Sequence, residues 1–560
     1  MVGMTTATDA AGVYPFVDVL VDLAAEVSGV IPAALVSYAA DWSEYHSHRE
    51  GGEVFFHLDP LWSSAHVDFV GIDNYLPLAD WREGTDHLDY DPDAGHTSQY
   101  SLAYLKSNVE GGEYWDFYYA SESDRWNQVR TPIADLAHGE DWVFRQKAIV
   151  DWRDNAHRNR PGGVRDASPT GWVPGSKPIW FTELGAPAVD KAANQPNVFW
   201  SAHSSEGAIP HFSSGARDDF AQRQFLRAAL EYWRDRAGGV SLDDVLVWAW
   251  DARPWPEFPN QDSVWADGPD WTLGHWLNGR ACVAPAAEAI QRRLALHGFP
   301  AGDLDLERCH GQVDGYAAGD ALGFREWFQP LELVLRLDAF EDFGKLVFQA
   351  REAAVLQGVV TVGQMVDREG ASRFQAVRAA LSETPDTAVL RFMNGVRDYE
   401  PTAARVGLEE GREEGMSVAE VPLVLDPGLG KAALERWLHA ASGGRETRAF
   451  ELPPSAFDVR PGTLLEVELP DDDRQTFVVD QVTEGEARAV VASSFDRGAF
   501  RRGRVVRQAG RVIVAPRSRR LLLAFLDLPL LADQSADDGG GFIALHAEPW
   551  PGGADVYRSA

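Results

Sequence analysis

The stretch Lys177-Pro-Ile-Trp-Phe-Thr-Glu-Leu-Gly-Ala-Pro187 places one carboxylate, Glu183, at the end of a short apolar run, Pro178 to Phe181. Gly185 and Pro187 then stop any continuation. This is the pattern of a buried parallel strand that delivers an acid to a loop at its C-terminal end, where barrel enzymes keep their chemistry. Two further acids follow it. Asp41, with Trp42 beside it, comes after the apolar run 34–39, and Asp73-Asn74-Tyr75 closes Val67-Asp-Phe-Val-Gly-Ile72. A fourth run, Val245-Leu-Val-Trp-Ala-Trp250, brings Trp248 and Trp250. Carboxylates beside indole platforms suit sugar chemistry. One carboxylate attacks or stabilises the anomeric carbon, a protonated one donates to the leaving oxygen, and flat rings stack on sugar faces. Each residue taken singly also has a plain structural reading: Asp73 can cap a helix and Trp250 can fill a core.

The elements that would position these residues are legible as periodicities. Residues 14–28 form an amphipathic helix, with Asp18, Asp22 and Glu26 on the wet face and Val17, Leu20, Val21, Ala24 and Val27 on the dry face. A helix over 218–236 presents Phe225, Leu226, Ala229, Leu230 and Trp233, and another runs over 285–297. Between them lies a Trp- and Asp-rich excursion, 80–170, with a helix at 142–155; an insertion of that length usually walls a ligand cleft. Strands near 35, 67, 178 and 245 thus alternate with helices, a parallel βα series. A closed (β/α)8 barrel needs eight such units, so four read as the C-terminal half of a TIM-barrel-like domain. His46, His48 and His57 share a polar loop without cysteine or helical spacing, which favours a solvated loop over a metal site. No metal or other cofactor is expected.

Composition narrows the function classes. The 560 residues carry 85 Asp and Glu against 51 Lys and Arg, a net charge of −34. Nucleic acid and anionic membrane surfaces should repel such a chain. No uncharged apolar run reaches the length of a membrane span, and the first residues lack a secretory signal pattern. The two cysteines, Cys282 and Cys309, form no disulfide framework and read as core fillers. Most of the 20 Trp fall before residue 280, and past 300 the texture becomes α+β and mainly antiparallel. There, 331–337 and 345–349 read as a hairpin about 342–344, and strands are expected at 389–393, 464–468 and 476–482. Asp426 and Pro427 open a helix with Leu434, Trp437, Leu438 and Ala441 on its apolar face and Gly443 at its end. Gly428-Leu-Gly430-Lys431 lacks the spacing and hydroxyl of a phosphate loop.

Three segments, Ser37-Tyr-Ala-Ala-Asp-Trp-Ser-Glu-Tyr45, Val67-Asp-Phe-Val-Gly-Ile-Asp-Asn-Tyr-Leu-Pro-Leu78 and Pro178-Ile-Trp-Phe-Thr-Glu-Leu-Gly185, resemble the TIM-barrel-like domain of gene transfer agent host-specificity proteins, the baseplate hubs of phage-like particles. The resemblance covers about 1–297, and that barrel is in turn similar to retaining glycosidases of the endo-mannanase type. It implies a nucleophile at Glu183 and substrate contacts at Asp41, Trp42, Asp73, Asn74, Tyr75, Trp248 and Trp250. It also implies an acid/base glutamate on an earlier strand, in a position that falls before Met1, so the chain is expected to be a piece of a longer protein. Arg391-Phe-Met-Asn-Gly-Val-Arg-Asp-Tyr-Glu-Pro401, Val421-Pro-Leu-Val-Leu425, Arg445-Glu-Thr-Arg-Ala-Phe-Glu-Leu-Pro-Pro-Ser-Ala456 and Arg460-Pro-Gly462 resemble a phage tail-tip attachment domain. The expected domains are 1–297, a connecting β segment 298–340, a hub-like domain 341–505, and the start of a further β-rich module, 506–560. The resemblance implies a tail-tip hub, homotrimeric, that assembles in the cytoplasm, joins other tail proteins and acts on a host-surface or cell-wall polysaccharide. The alternative is a barrel that has lost catalysis and only binds glycan or builds structure.

Overall fold

The computed structural model describes residues 2–498 apart from 11, 202–206, 256, 278–281, 318–321, 371, 381–383, 396, 398, 409–414, 469–473 and 497, together with 522–526 and 542–546. The chain divides into two compact units, the first built mainly on residues 1–278 and the second on 279–511.

The first unit centres on a four-stranded sheet. Its strands are β1 (Ala39–Asp41), β2 (Val70–Asn74), β3 (Ile179–Leu184) and β4 (Val245–Val247), in that order and all parallel. Ala40, Val70, Ile72 and Phe181 are fully buried, which explains why these strands read as near-continuous apolar runs. Helix α1 (Pro15–Val30) precedes β1, with Val17 and Ala24 buried as its periodicity requires. Helix α2 (Asp219–Asp235) joins β3 to β4. The Asp218 carboxylate accepts from the Ala221 amide to cap it, and Phe225, Leu226, Ala229 and Trp233 form its buried face.

Each strand lies toward the C-terminal side of its expected position or is shorter. The first begins at 39 rather than 34, because residues 36 and 37 bond partly through side chains: the Asp68 carboxylate accepts from Val36, and the Ser37 hydroxyl donates to Phe69. The fourth ends at Val247, three residues short of Trp250. The helix expected at 142–155 is two short pieces, a 3-10 turn Asp141–Phe144 and a helix Ile149–Asp154. Arg145 between them is extended, and Lys147 is drawn inward, where its buried ammonium donates to the carbonyls of Asn108 and Gly111 at 2.7 Å each.

In the second unit, helix α3 (Ala286–Ala295) packs with α4 (Phe324–Leu335) and α5 (Pro427–Gly443) in one core that includes Ile290, Leu331 and Leu438. The helix after residue 285 therefore sits with the second unit, although the expected boundary at 297 gives it to the first. Residues 331–335 are helical rather than one arm of a hairpin. Trp327, Phe328, Leu331 and Val334 are buried at helical spacing, and the hairpin is Leu337–Asp342 with Lys345–Ala350. Asp426 caps α5 by accepting from the Gly428 amide at 2.7 Å. The sheets of this unit mix senses. Thr387–Asn394 pairs antiparallel with Pro401–Gly407 but parallel with Met416–Leu425. A six-stranded sheet runs from Leu356–Val360 through Leu464–Glu468, Arg474–Thr483, Arg488–Ser494 and Glu446–Leu452 to Phe374–Arg378, and its first pair is parallel. Beyond residue 505 the described elements are two paired strands, Leu522–Leu526 and Phe542–His546; the motif at 548–558 lies outside the described residues.

Candidate functional site

The parallel register puts three acids in one row. Asp41 pairs with Asp73 and Asp73 with Glu183, so three adjacent strands each carry a carboxylate at or one residue before their C-terminal end. A β-bulge between Ile72 and Asp73 makes this possible, because Ile72 is opposite Phe181 whereas Asp73 is opposite Glu183. The extra residue on β3 is Thr182, and its hydroxyl donates to the Asp73 carboxylate at 2.7 Å. Glu183 accepts from the Tyr75 hydroxyl at 2.6 Å. Asp41 accepts from both the amide and the hydroxyl of Ser43, at 2.9 and 2.5 Å. Among the described residues none of the three acids pairs with a lysine, arginine or histidine.

Burial raises the pKa of Glu183 above the ordinary glutamate range. Tyr75 pulls it down by hydrogen bonding, and Asp73 and Asp41 push it up by repulsion. Burial also raises Asp73; its bond from Thr182 offsets this, and Asp41 adds to it. Tyr75 is raised too, first by burial and then by its bond to Glu183, so it stays a proton donor to that carboxylate. One strand away, Glu44 is buried and accepts from the hydroxyls of Tyr38 and Thr5.

Aromatic side chains gather around Tyr75, the hydrogen-bond donor to Glu183. Tyr75 stands edge-on to Phe199, with ring centres 6.4 Å apart, and to His275 at 5.6 Å. Phe199 is 45 % exposed and lies 4.3 Å from His275. The ring of His275 is buried, its Nε2–H donates to the Pro196 carbonyl at 2.8 Å, and burial lowers its pKa to about 4, so it is neutral. Neither His275 nor Phe199 is marked by any pattern in the sequence; both reach the site from loops far along the chain. Trp248 continues from β4 by donating its amide to Leu184, and the Trp248–Ala249 peptide is cis. Gly185 lets this segment approach: a Cβ there would meet the Trp248 carbonyl at 2.4 Å.

The remaining expected residues fall in different places. Trp248 and Trp250 are 42 % and 76 % exposed. Trp42 packs edge-on to Tyr114 at 5.1 Å, on the side of the 80–170 excursion. Asn74 is buried and lines a small apolar pocket with Leu76, Leu78, Leu184, Phe225 and Trp233. It belongs to the face of the sheet that α2 covers and is not brought together with the acids. His46 bonds the Trp142 carbonyl and His48 bonds Tyr14, so these histidines serve packing. Among the described residues no group of three or more His, Cys, Asp or Glu is arranged to hold a metal ion, and no helix is long and apolar enough to cross a membrane.

Residues 1–259 match the family described as the GTA TIM-barrel-like domain, where GTA stands for gene transfer agent. Residues 324–482 match the family described as "Putative phage tail protein". No curated protein matches the chain. Among solved structures, the chain is similar to one from the virion of a native gene transfer agent particle, at 25 % identity and a TM-score of 0.38 over 44 % of this chain and 57 % of that one. The chain thus corresponds to little more than half the length of that relative. It is also similar to a 43 kDa tail protein of prophage MuSo2 from Shewanella oneidensis, at 14 % identity and a TM-score of 0.28, covering 39 % of this chain and 69 % of that one. A tail protein from Neisseria meningitidis gives 10 % identity and a TM-score of 0.27, over 39 % and 71 % of the two chains.

Proposed function

Given that one chain carries a GTA TIM-barrel-like domain and a phage tail domain, we propose that it is a tail-tip or baseplate hub component of a phage-like particle, whose first domain hydrolyses a host-surface or cell-wall glycan. It is made and assembled in the cytoplasm, acts as a trimer at the tip of the released particle, and contacts other tail proteins through its second unit. The observation that carries the glycan reading is the row Asp41–Asp73–Glu183 at the strand ends, with Glu183 held by Tyr75, whose ring packs edge-on to Phe199. Glu183 acts as the nucleophile on the anomeric carbon. Tyr75 orients it and keeps it ionised by donating a hydrogen bond, and Trp248 and Trp250 present flat faces to sugar rings. The acid/base partner of Glu183 comes from a further strand of a complete barrel. Two features support a half-barrel: among the described residues β1 is an edge strand, and α1 exposes a second apolar stripe at Val19, Leu23 and Val30. Both suit a further βα unit beside β1.

A second reading, glycan binding without hydrolysis, is favoured by one feature: Asp41 is already engaged by Ser43 through both amide and hydroxyl. Release of reducing ends from a panel of surface polysaccharides separates the two. Protein with the complete barrel should cleave one of them, and Glu183→Gln in that protein should cut its rate by about 10³-fold while retaining binding. Equal turnover by both proteins sinks the nucleophile assignment. Binding without turnover by either selects the second reading.

A further inference from the structure

The charge at the strand ends is one-sided. Asp41, Asp73 and Glu183 stand on neighbouring strands, and their partners are an amide and the hydroxyls of Ser43, Thr182 and Tyr75, all uncharged. The charged groups that act on Glu183 are Asp73 and Asp41, both repulsive. Arg253, on the segment that follows β4, brings no free positive charge, because its guanidinium is shared between Asp251 and Asp267. A ligand's anionic group therefore finds no cation in this row. It finds like charges, which at about 5 Å and an effective dielectric between that of water and a protein surface weaken binding by roughly tenfold to a hundredfold. The exposed rings of Phe199, Trp248 and Trp250 are indifferent to this, since stacking on the apolar face of a sugar does not depend on its substituent charge.

We infer that this site selects its glycan by charge: it accepts sugar rings that are neutral or carry an ammonium group and rejects uronic, sulfated or phosphorylated ones. The inference rests on the glycan reading above and names the substrate class of the same site. Asp41 and Asp73 set the discrimination and the aromatic rings set the affinity. This division of labour makes the selectivity dependent on salt, whereas stacking is not.

Calorimetric titration of the wild-type protein with neutral gluco- and manno-oligosaccharides, deacetylated chitosan oligosaccharides and oligogalacturonides tests it. At low ionic strength at least one neutral or cationic chain should bind about tenfold or more tightly than the oligogalacturonide. The gap should narrow in 1 M salt, a measurement that needs no variant. In Asp41→Asn/Asp73→Asn, checked for an intact thermal transition, the affinity of the oligogalacturonide relative to that of the neutral chain should rise by about tenfold, whatever the loss of neutral-chain binding. Binding of the anionic chain as tightly as the best neutral one overturns the inference and leaves the glycan reading standing. Failure to bind any glycan overturns both.

Discussion

Glu183 owes its character to three neighbours that the chain supplies from distant positions. Burial and the repulsion of Asp73 and Asp41 favour its protonated form, and Tyr75 opposes them. In the proposed role of nucleophile Glu183 must be ionised, so the proposed activity should be lost as pH falls through its raised pKa, with an acid limb above that of an ordinary glutamate. Tyr75→Phe removes the one contribution that lowers this pKa. The limb should move to higher pH, and the plateau rate should fall about 10- to 100-fold, the worth of one hydrogen bond to a charged group. A pH–rate profile checks both, and an unshifted limb would mean that Tyr75 does not act on Glu183. Asp73→Asn should stabilise the protein at neutral pH by a few tenths of a kcal/mol, up to about 0.5, because a half-buried repelling charge, partly screened by solvent, is removed while an oxygen remains for Thr182. The sign follows from the raised pKa: this carboxylate costs stability once pH rises through it, so the gain should vanish in acid, as urea titrations at neutral and acidic pH will read out. At this scale the acids and tryptophans could be read from their place at the ends of apolar runs. His275 and Phe199 could not, since a loop side chain acquires a role only when the loop closes on the site.

The sheet aligns these groups, and its alignment depends on two local devices. One is the bulge at Thr182, which brings Glu183 rather than Thr182 opposite Asp73. The other is Gly185, pressed against the Trp248 carbonyl and His275. Gly185→Ala should separate β3 from the segment after β4, cost about 1–3 kcal/mol and disturb Trp248. A lowered thermal midpoint together with altered tryptophan fluorescence is expected, and an unchanged midpoint would mean that the contact relaxes freely. Strand existence was legible because each strand carries an apolar run, deeply buried in β2 and β3, although β4 leaves Leu246 half exposed. Their ends were not, because side chains such as Asp68 replace ladder bonds at one end and a bulge or a turn intervenes at the other. The run at 331–335 was misread for a related reason: a short apolar stretch has no decisive period until its helical neighbours Trp327 and Phe328 are counted with it.

For the whole molecule, the excess of 85 acidic over 51 basic residues acts on every equilibrium. Self-repulsion of a net charge of −34 opposes the compact state, so raising NaCl from about 0.01 M to 0.15 M, which shortens the screening length from ~30 Å to ~8 Å, should raise the thermal midpoint by about 2–4 °C. Differential scanning calorimetry in a salt series checks this, and a flat or falling midpoint would show that paired charges such as Arg125–Glu113 and Arg160–Asp135 already balance the field. Composition and periodicity by themselves determined that two unlike halves share the chain, that the first holds parallel strands ending in acids, and that the helix opened by Asp426 and Pro427 forms, because caps, amphipathic faces and apolar strand runs are local. Only the tertiary structure decided which acids stand in one row, that Asn74 faces α2 instead of joining them, and that α3 packs with the second unit. Those outcomes depend on register and on contacts between residues far apart in sequence, and no local pattern encodes them.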